Sequence, residues 1–259
     1  MRNTTTVRRA TGAALGALLL VGATACGGSD QVDKETGVPA PRTGAPSAPS
    51  TQGAPTPVPP AAPGPGADRL KALALAPGET TGPYQAGEPV LDEPINESYE
   101  VTPAVCAPLT SLGKAGHTAQ AYAHTSVPGE LTGVGTDILL RSYKDGTAAD
   151  AALKSLAAAG KSCAGGYTED RMLAEGKVLK VEAVQAPKLG DEAQAYRIVV
   201  QDVKEKNLSL YKYLTVIRSG AVTLSFRSDI LDIKDFGAVP PEIVTAQWEK
   251  FAKGSGASS

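Results

Sequence analysis

Residues 193–227 read AQAYRIVVQDVKEKNLSLYKYLTVIRSGAVTLSFR. Three runs in this stretch alternate with period two, the spacing that sends successive side chains to opposite faces of a strand. Tyr196, Ile198 and Val200 alternate with Arg197 and Val199. Leu208, Leu210, Leu214 and Val216 face away from Ser209, Tyr211, Tyr213 and Thr215, and Val222, Leu224 and Phe226 oppose Thr223, Ser225 and Arg227. The connections are short: Lys204-Glu205-Lys206-Asn207 is a polar hairpin loop and Ser219-Gly220 a tight turn. Parallel neighbours need a crossover of about a dozen residues or more, so these strands pair antiparallel. The three-stranded meander over 193–227 sets the fold class as α+β, a twisted antiparallel sheet with two to four helices packed on it and one disulfide.

Working outward, Pro240-Pro241 opens a last helix whose Val244, Trp248 and Phe251 fall at i, i+4 and i+7, a stripe suited to lie on the sheet. Gly254 to Ser259 reads as a frayed tail. Upstream, Leu189 to Glu192 is a turn, and Leu179, Val181 and Ala183 alternate with Lys180 and Glu182. Thr147 to Asp150 resembles a capping box with Asp at the position of Glu or Gln. The helix it opens carries Ala149, Ala152, Leu153 and Leu156 on one stripe and stops at Gly160. His117 to Thr125 and Thr136 to Tyr143 read as strands, the first with Ala119, Ala121 and Ala123 on one face and Gln120, Tyr122 and His124 on the other. Thr102-Pro103 reads as an N-cap and first helical residue. The helix that follows, Pro103 to Leu112, is closed by Gly113 and presents Val105, Leu109 and Leu112 together. Ala67 to Leu75 is a short helix, and Pro83 to Leu91, broken by Gly87 and Pro89, is irregular or an edge strand.

The N-terminus carries an address. Arg2, Arg8 and Arg9 precede an apolar run from Gly12 to Ala25. Its length, about 14 residues, suits the core of a signal peptide and is too short to span a hydrocarbon layer of about 30 Å. Ala23-Thr24-Ala25-Cys26 resembles the bacterial lipobox. That resemblance implies cleavage before Cys26, a diacylglycerol on its thiol and further acylation, of the palmitate kind, anchoring the chain to the outer face of the cell membrane. Two or three acyl chains make such an anchor stable where one is marginal. Residues 27 to about 66 hold ten prolines among Ala, Gly, Ser and Thr, with no large apolar residue except valine. Such a segment cannot bury enough surface to offset its ordering entropy and reads as a stalk. The organisation expected is a signal peptide over 1–25, a lipidated N-terminus and stalk over 26–66, one folded domain over 67–253 and a tail over 254–259.

With Cys26 assigned to lipid, Cys106 and Cys163 are an even pair in an oxidising compartment, and a disulfide is the default. Reactive-thiol chemistry is the competing reading, and no Cys-x-x-Cys is present to favour it. The bridge would pin the end of the helix before Cys163 to the helix that carries Cys106.

Chemistry is sparse. Loss of three arginines with the leader takes the net charge from −2 to about −5, and no block of Lys or Arg stands out. Nucleic acid is therefore not an expected partner. Nucleotide-loop, nucleophile-elbow and zinc-helix motifs are all missing, so no catalytic residue, metal ligand or cofactor is assigned. His117 and His124, seven apart, fall on opposite strand faces and cannot share a metal. Asp191-Glu192 after Gly190 reads as a solvated turn, not as a catalytic carboxylate pair. Asn96-Glu97-Ser98 and Asn207-Leu208-Ser209 match the glycosylation pattern by chance in a bacterial chain. Tyr211 and Tyr213 share one strand face and are weak candidates for lining a ligand groove, with core packing as the other reading.

Several stretches together resemble the PknH-like extracellular sensor domain of actinobacterial kinases and stand-alone lipoproteins. They are Cys106-Ala107-Pro108-Leu109, Leu140-Arg141-Ser142-Tyr143, Leu189-Gly190-Asp191-Glu192-Ala193 and Val216 to Val222, spread over roughly residues 69 to 252. The resemblance implies an antiparallel sheet with helices on it, a cleft, and extracellular sensing without catalysis. It also implies a second disulfide, for which this chain has no cysteines. The function expected is a membrane-tethered domain that binds or senses a small ligand or envelope component; the alternative is a scaffolding lipoprotein that binds an envelope protein.

Overall fold

The structure is a computed structural model and describes residues 62–257 except 90, 113–114, 131–133, 172–173 and 231–233. The leader, Cys26, the stalk to residue 61 and Gly113 lie outside the described residues. Four α-helices appear among them: α1 (Ala67–Leu73), α2 (Ala107–Thr110), α3 (Gly146–Ser162) and α4 (Pro241–Ser255). The strands are β1 (Thr80–Thr81), β2 (Tyr84–Gly87), β3 (Glu100–Thr102), β4 (Ala119–Ser126) and β5 (Gly135–Ser142), followed by β6 (Tyr167–Arg171), β7 (Ala174–Val184), β8 (Glu192–Gln201), β9 (Ser209–Ser219) and β10 (Val222–Ile230).

All ten strands join one open antiparallel sheet in the order β1-β2-β4-β5-β10-β9-β8-β7-β6-β3. The meander is present as expected: β8 pairs β9 from Glu192↔Arg218 to Gln201↔Ser209, and β9 pairs β10 from Ser219↔Val222 outward. β10 then pairs β5, joining the C-terminal meander to the β4–β5 hairpin. The two outermost strands have only two and three residues, which leaves little open edge for another chain to extend.

Period-two alternation sends β9 into two cores. Tyr213 and Ile217 join Ile138, Leu140, Leu224 and Phe226 beneath α1 and α4, where Leu70, Leu73, Ile243, Trp248 and Phe251 close the face. Leu214 and Val216 enter the opposite core with Tyr196, Ile198 and Val200 beneath α2 and α3, which contribute Leu109, Leu153 and Leu156. Each such side chain, fully buried, contributes about 1.5–3 kcal/mol. The α4 stripe is as expected, with Val244, Trp248 and Phe251 all buried. Gln247 ties α4 to α1: its Nε2 donates to Leu73 O at 2.8 Å and its Oε1 accepts from Leu75 N at 2.8 Å.

Cys106 and Cys163 form the disulfide, with Cα atoms 5.9 Å apart. It joins the C-terminal end of α3 to the turn before α2, the expected placement.

Several local expectations are corrected. Thr102 does not cap a helix; it pairs with Thr168 as the last residue of β3, and the Thr102–Pro103 peptide is cis. The chain then runs through a 3-10 turn, Ala104–Cys106, into the four-residue α2, so Leu109 and Leu112 are buried while Val105 stays exposed. Sheet pairing has claimed the Thr102 backbone, and propensity yields to it. At α3 the cap is Asp145, whose Oδ1 accepts from Ala148 N at 2.8 Å. Asp150 instead pairs with Lys154 at 2.7 Å. Gly160 does not end α3; a Cβ there would overlap the Tyr196 ring, so the glycine permits close packing of helix on sheet. In β7 a register shift between Val178 and Lys180 breaks the alternation, leaving Val178 and Val181 buried and Ala183 exposed. α4 runs to Ser255, with Gly256 in the left-handed conformation as its C-terminal stop, so helix extends into the stretch read as tail. At the other end Gly64 N donates to Tyr143 O at 3.1 Å, which ties the chain to the domain before residue 67.

Candidate functional site

The face that carries α2 and α3 is not apolar throughout. Where it passes from β9 across β10 and β5 to β4, its residues are Lys212, Asp229, Asp137, His124 and Tyr122, and none of the four α-helices covers them. The chain leaving β2 covers them instead. Leu91, Glu93, Pro94, Ile95 and Asn96 form one wall of a cavity of about 480 Å³; the strand residues, with Val200, Leu210 and Arg171, form the floor and far wall. The volume lies within the range of small-molecule sites, roughly 300–1,000 Å³.

The polar floor is ordered around two carboxylates. Tyr122 Oη donates to Asp137 Oδ1 at 2.5 Å, and His124 Nδ1 lies 2.9 Å from the same oxygen. Register makes this possible, since His124 and Asp137 are direct partners across β4 and β5. Burial, then the hydrogen bond to Asp137, pushes the Tyr122 hydroxyl far above its ordinary value, so it stays a donor. On the other side Lys212 Nζ lies 3.7 Å from Glu169 and 3.8 Å from Asp229. Glu169 is 1 % exposed and receives Arg171 through Nε at 3.0 Å and Nη2 at 2.6 Å. Burial raises the Glu169 carboxyl, but Lys212, Arg171 and Arg227 outweigh it and hold the group below its ordinary 4.5.

Asp137 also borders a void of about 10 Å³ beneath the floor, lined by Glu97, Arg141, Ser225 and Arg227. Here Arg141 Nη2 donates to Glu97 Oε2 at 2.8 Å and Arg141 Nε to Gln120 at 3.2 Å. Ser111 Oγ also donates to Glu97, and Arg227 Nη2 donates to the carbonyls of Leu109 at 3.0 Å and Thr110 at 2.6 Å. These pairs fasten the 94–98 wall and α2 to the sheet. Among the described residues the cavity lining includes no Ser, Thr or Cys beside His124. The arrangement offers charge, hydrogen bonds and apolar contact, the elements of recognition.

A second hollow of about 870 Å³ runs between α2 and the first half of α3. Six alanines line it beside Glu100, Ser111, Lys144, Asp145, Thr147 and Ser155, with no aromatic ring and no unpartnered buried polar side chain among the described residues. With no aromatic ring and no unpartnered buried polar group to receive a ligand, it is the weaker candidate.

Tyr211 and Tyr213, the tyrosines singled out by sequence, line neither hollow. Tyr213 is buried on the opposite face; its hydroxyl donates to Asp235 at 2.5 Å and accepts from Phe236 N at 2.8 Å and Gly237 N at 3.1 Å. Burial and the Asp235 bond push it up to about 12. Tyr211 is half-buried with the Arg197 guanidinium 5.2 Å over its ring. His117 precedes β4, while His124 sits in the cavity. Asp191 is a turn residue, bound to Arg218 at 2.9 Å and to Gly220 N at 2.7 Å. Sequence reasoning placed Tyr122 and His124 on the non-core face of β4 but had no means of pairing them with Asp137, or of bringing Arg171, Lys212 and Asn96 to the same place.

No protein family and no curated relative matches the chain by sequence. Among solved structures it superposes on the extracellular domain of PknH from Mycobacterium tuberculosis with a TM-score of 0.52, covering 73% of this chain and 96% of that one. The chain has the fold of the PknH extracellular domain. Identity to PknH is 14%, so the likeness is one of fold. A putative uncharacterised protein from Mycobacterium smegmatis, the Rv0999 ortholog, also matches, with a TM-score of 0.30, 14% identity and coverage of 67% of this chain and 84% of that one. The expected fold, a PknH-like antiparallel sheet with two to four helices packed on it and one disulfide, is the one observed.

Proposed function

We propose that this chain is an extracytoplasmic binding module, tethered through a lipid on Cys26, whose folded domain takes a small ligand in the cavity between the 91–96 wall and the β4–β5–β10–β9 floor. The rim of that cavity carries the proposal. Five large apolar side chains are exposed among the described residues, and three of them, Leu91 (50%), Ile95 (53%) and Val203 (53%), stand around this one opening. Exposed apolar groups that cluster at the mouth of a polar-floored hollow are what an amphipathic ligand covers. The fold shared with an extracellular domain and the export segment at residues 1–26 support the placement outside the cytoplasm. No helix among the described residues is long and apolar enough to cross a membrane.

Native mass spectrometry tests the ligand reading. The full chain, incubated with a bacterial envelope extract, is expected to retain a small molecule that an Ile95→Asp chain loses; spectra that are empty, or identical for the two chains, would overturn it. The anchor is tested separately. Cys26→Ser is expected to move the chain from the detergent-extracted membrane fraction to the soluble one, with the unfolding midpoint of the domain unchanged. Continued membrane retention of that variant would remove the tether from the proposal.

A further inference from the structure

We infer that the cavity selects a cationic amide, meaning a small peptide-like molecule that carries a protonated amine, a carboxamide and an apolar side chain. The inference rests on the ligand reading above and goes on to name the chemistry.

The first observation is a buried amide. Asn96 lines the cavity and is 6% exposed, yet neither its Nδ2 nor its Oδ1 has a hydrogen-bond partner among the described residues. An unmade pair of this kind is costly, and native proteins keep few of them. A carboxamide presents one donor and one acceptor side by side. The group that answers both at once is another amide, whose carbonyl accepts from Nδ2 while its N–H donates to Oδ1.

The second observation is charge. Glu88, Glu93, Asp137 and Asp229 line the cavity against only two permanent cations, Arg171 and Lys212. Both cations are engaged by Glu169, which sits behind them. The surplus is negative, so a protonated amine gains where a carboxylate or phosphate meets repulsion. The third observation is the apolar rim of Leu91, Ile95 and Val203, continued inward by Val200 and Leu210, which suits a branched aliphatic side chain.

The test uses the full chain, isotopically labelled for NMR, at a pH of about 6.5, where an α-amine is protonated. Leucyl-leucinamide is the probe; N-acetyl-leucyl-leucine offers the same apolar body as an anion. Leucyl-leucinamide is expected to shift the backbone signals of Asn96, Tyr122 and His124 and to bind about tenfold or more tightly than the anion. Asn96→Leu replaces the unpartnered amide with an apolar group of similar size. It is expected to keep the fold and to lose about tenfold in affinity for leucyl-leucinamide. A purely structural Asn96 would move the melting temperature and leave that affinity alone. Asp229→Asn, at a more exposed position, is expected to narrow the preference for the cation whether or not Asn96→Leu folds. If the anion binds as well as the cation at the same signals, the ligand class is overturned and the cavity stands. If neither probe moves those signals the inference fails, and the envelope-extract spectra then decide whether the cavity reading fails with it.

Discussion

Glu97→Ala is expected to cost about 3–5 kcal/mol. Arg141 is 1% exposed, and Glu97 is its only carboxylate partner within the buried network. Its Nε reaches the neutral Gln120, and its Nη1 has no hydrogen-bond partner among the described residues. Without Glu97 the guanidinium keeps its charge, because no accessible pH deprotonates arginine. It is then left in a low-dielectric interior with one neutral acceptor. The hydrogen bond from Ser111 to Glu97 is lost with it. For a domain of this size the melting temperature should fall by roughly 2–4 °C per kcal/mol, or about 10 °C in all. The double replacement Glu97→Leu with Arg141→Met should recover most of the loss, since apolar residues of similar volume replace a buried pair at little or no cost. Calorimetry on the three chains checks this, and a loss below about 1 kcal/mol for Glu97→Ala would show that the pair is hydrated and weak. Glu97 follows Asn96 directly, so the same variant should loosen the cavity wall and weaken any ligand bound there.

Replacing both Cys106 and Cys163 by alanine is expected to cost about 4 kcal/mol, within the usual 2–5 for a native bridge. The two are separated by 57 positions, a loop long enough for its closure to constrain the unfolded chain strongly. Both residues are buried, at 0% and 1% exposure, so alanine is a better probe than serine, which would bury an extra hydroxyl. Denaturant unfolding should show a lower midpoint together with a steeper dependence on denaturant, because the unbridged unfolded chain exposes more surface. An unchanged midpoint would mean that the core beneath α3 holds the two segments without help. The effect should also be local. Amide exchange should accelerate first at the end of α3 and in α2, the elements that the bridge joins, and last in β9 and β10.

Both variants act on parts of the molecule that differ in how far the sequence foretold them. The disulfide followed from cysteine number and compartment. The Arg141–Glu97 pair did not: in β5 Arg141 shares with Leu139 the face opposite Ile138 and Leu140, and no local pattern marks it for burial. It is buried because the 94–98 segment and α2 cover that face, and nothing near Arg141 in the chain announces a cover that arrives from about forty residues earlier. Arg227 in β10 is hidden by α2 in the same way.

Local, periodic features were legible in the chain alone. Alternation marked β4, β5, β8, β9 and β10, and their short loops made the meander antiparallel. The Val244-Trp248-Phe251 stripe marked α4 and the Ala149-to-Leu156 stripe α3, because an amphipathic helix declares its buried face within its own turns. Features that depend on partners distant in the chain were set by long-range packing and pairing. β3 exists because β6 pairs with it, and that pairing overrode a helix-start signal at Thr102-Pro103. The insertion of β5 between β4 and β10 joined two hairpins into one sheet. The cavity is the extreme case: its residues come from the chain after β2 and from β4, β5, β6, β8, β9 and β10, each unremarkable where it stands. A fold core repeats one physical preference along many positions and so leaves a pattern. A binding site needs a few unlike side chains brought together once, and a single juxtaposition leaves no period to read.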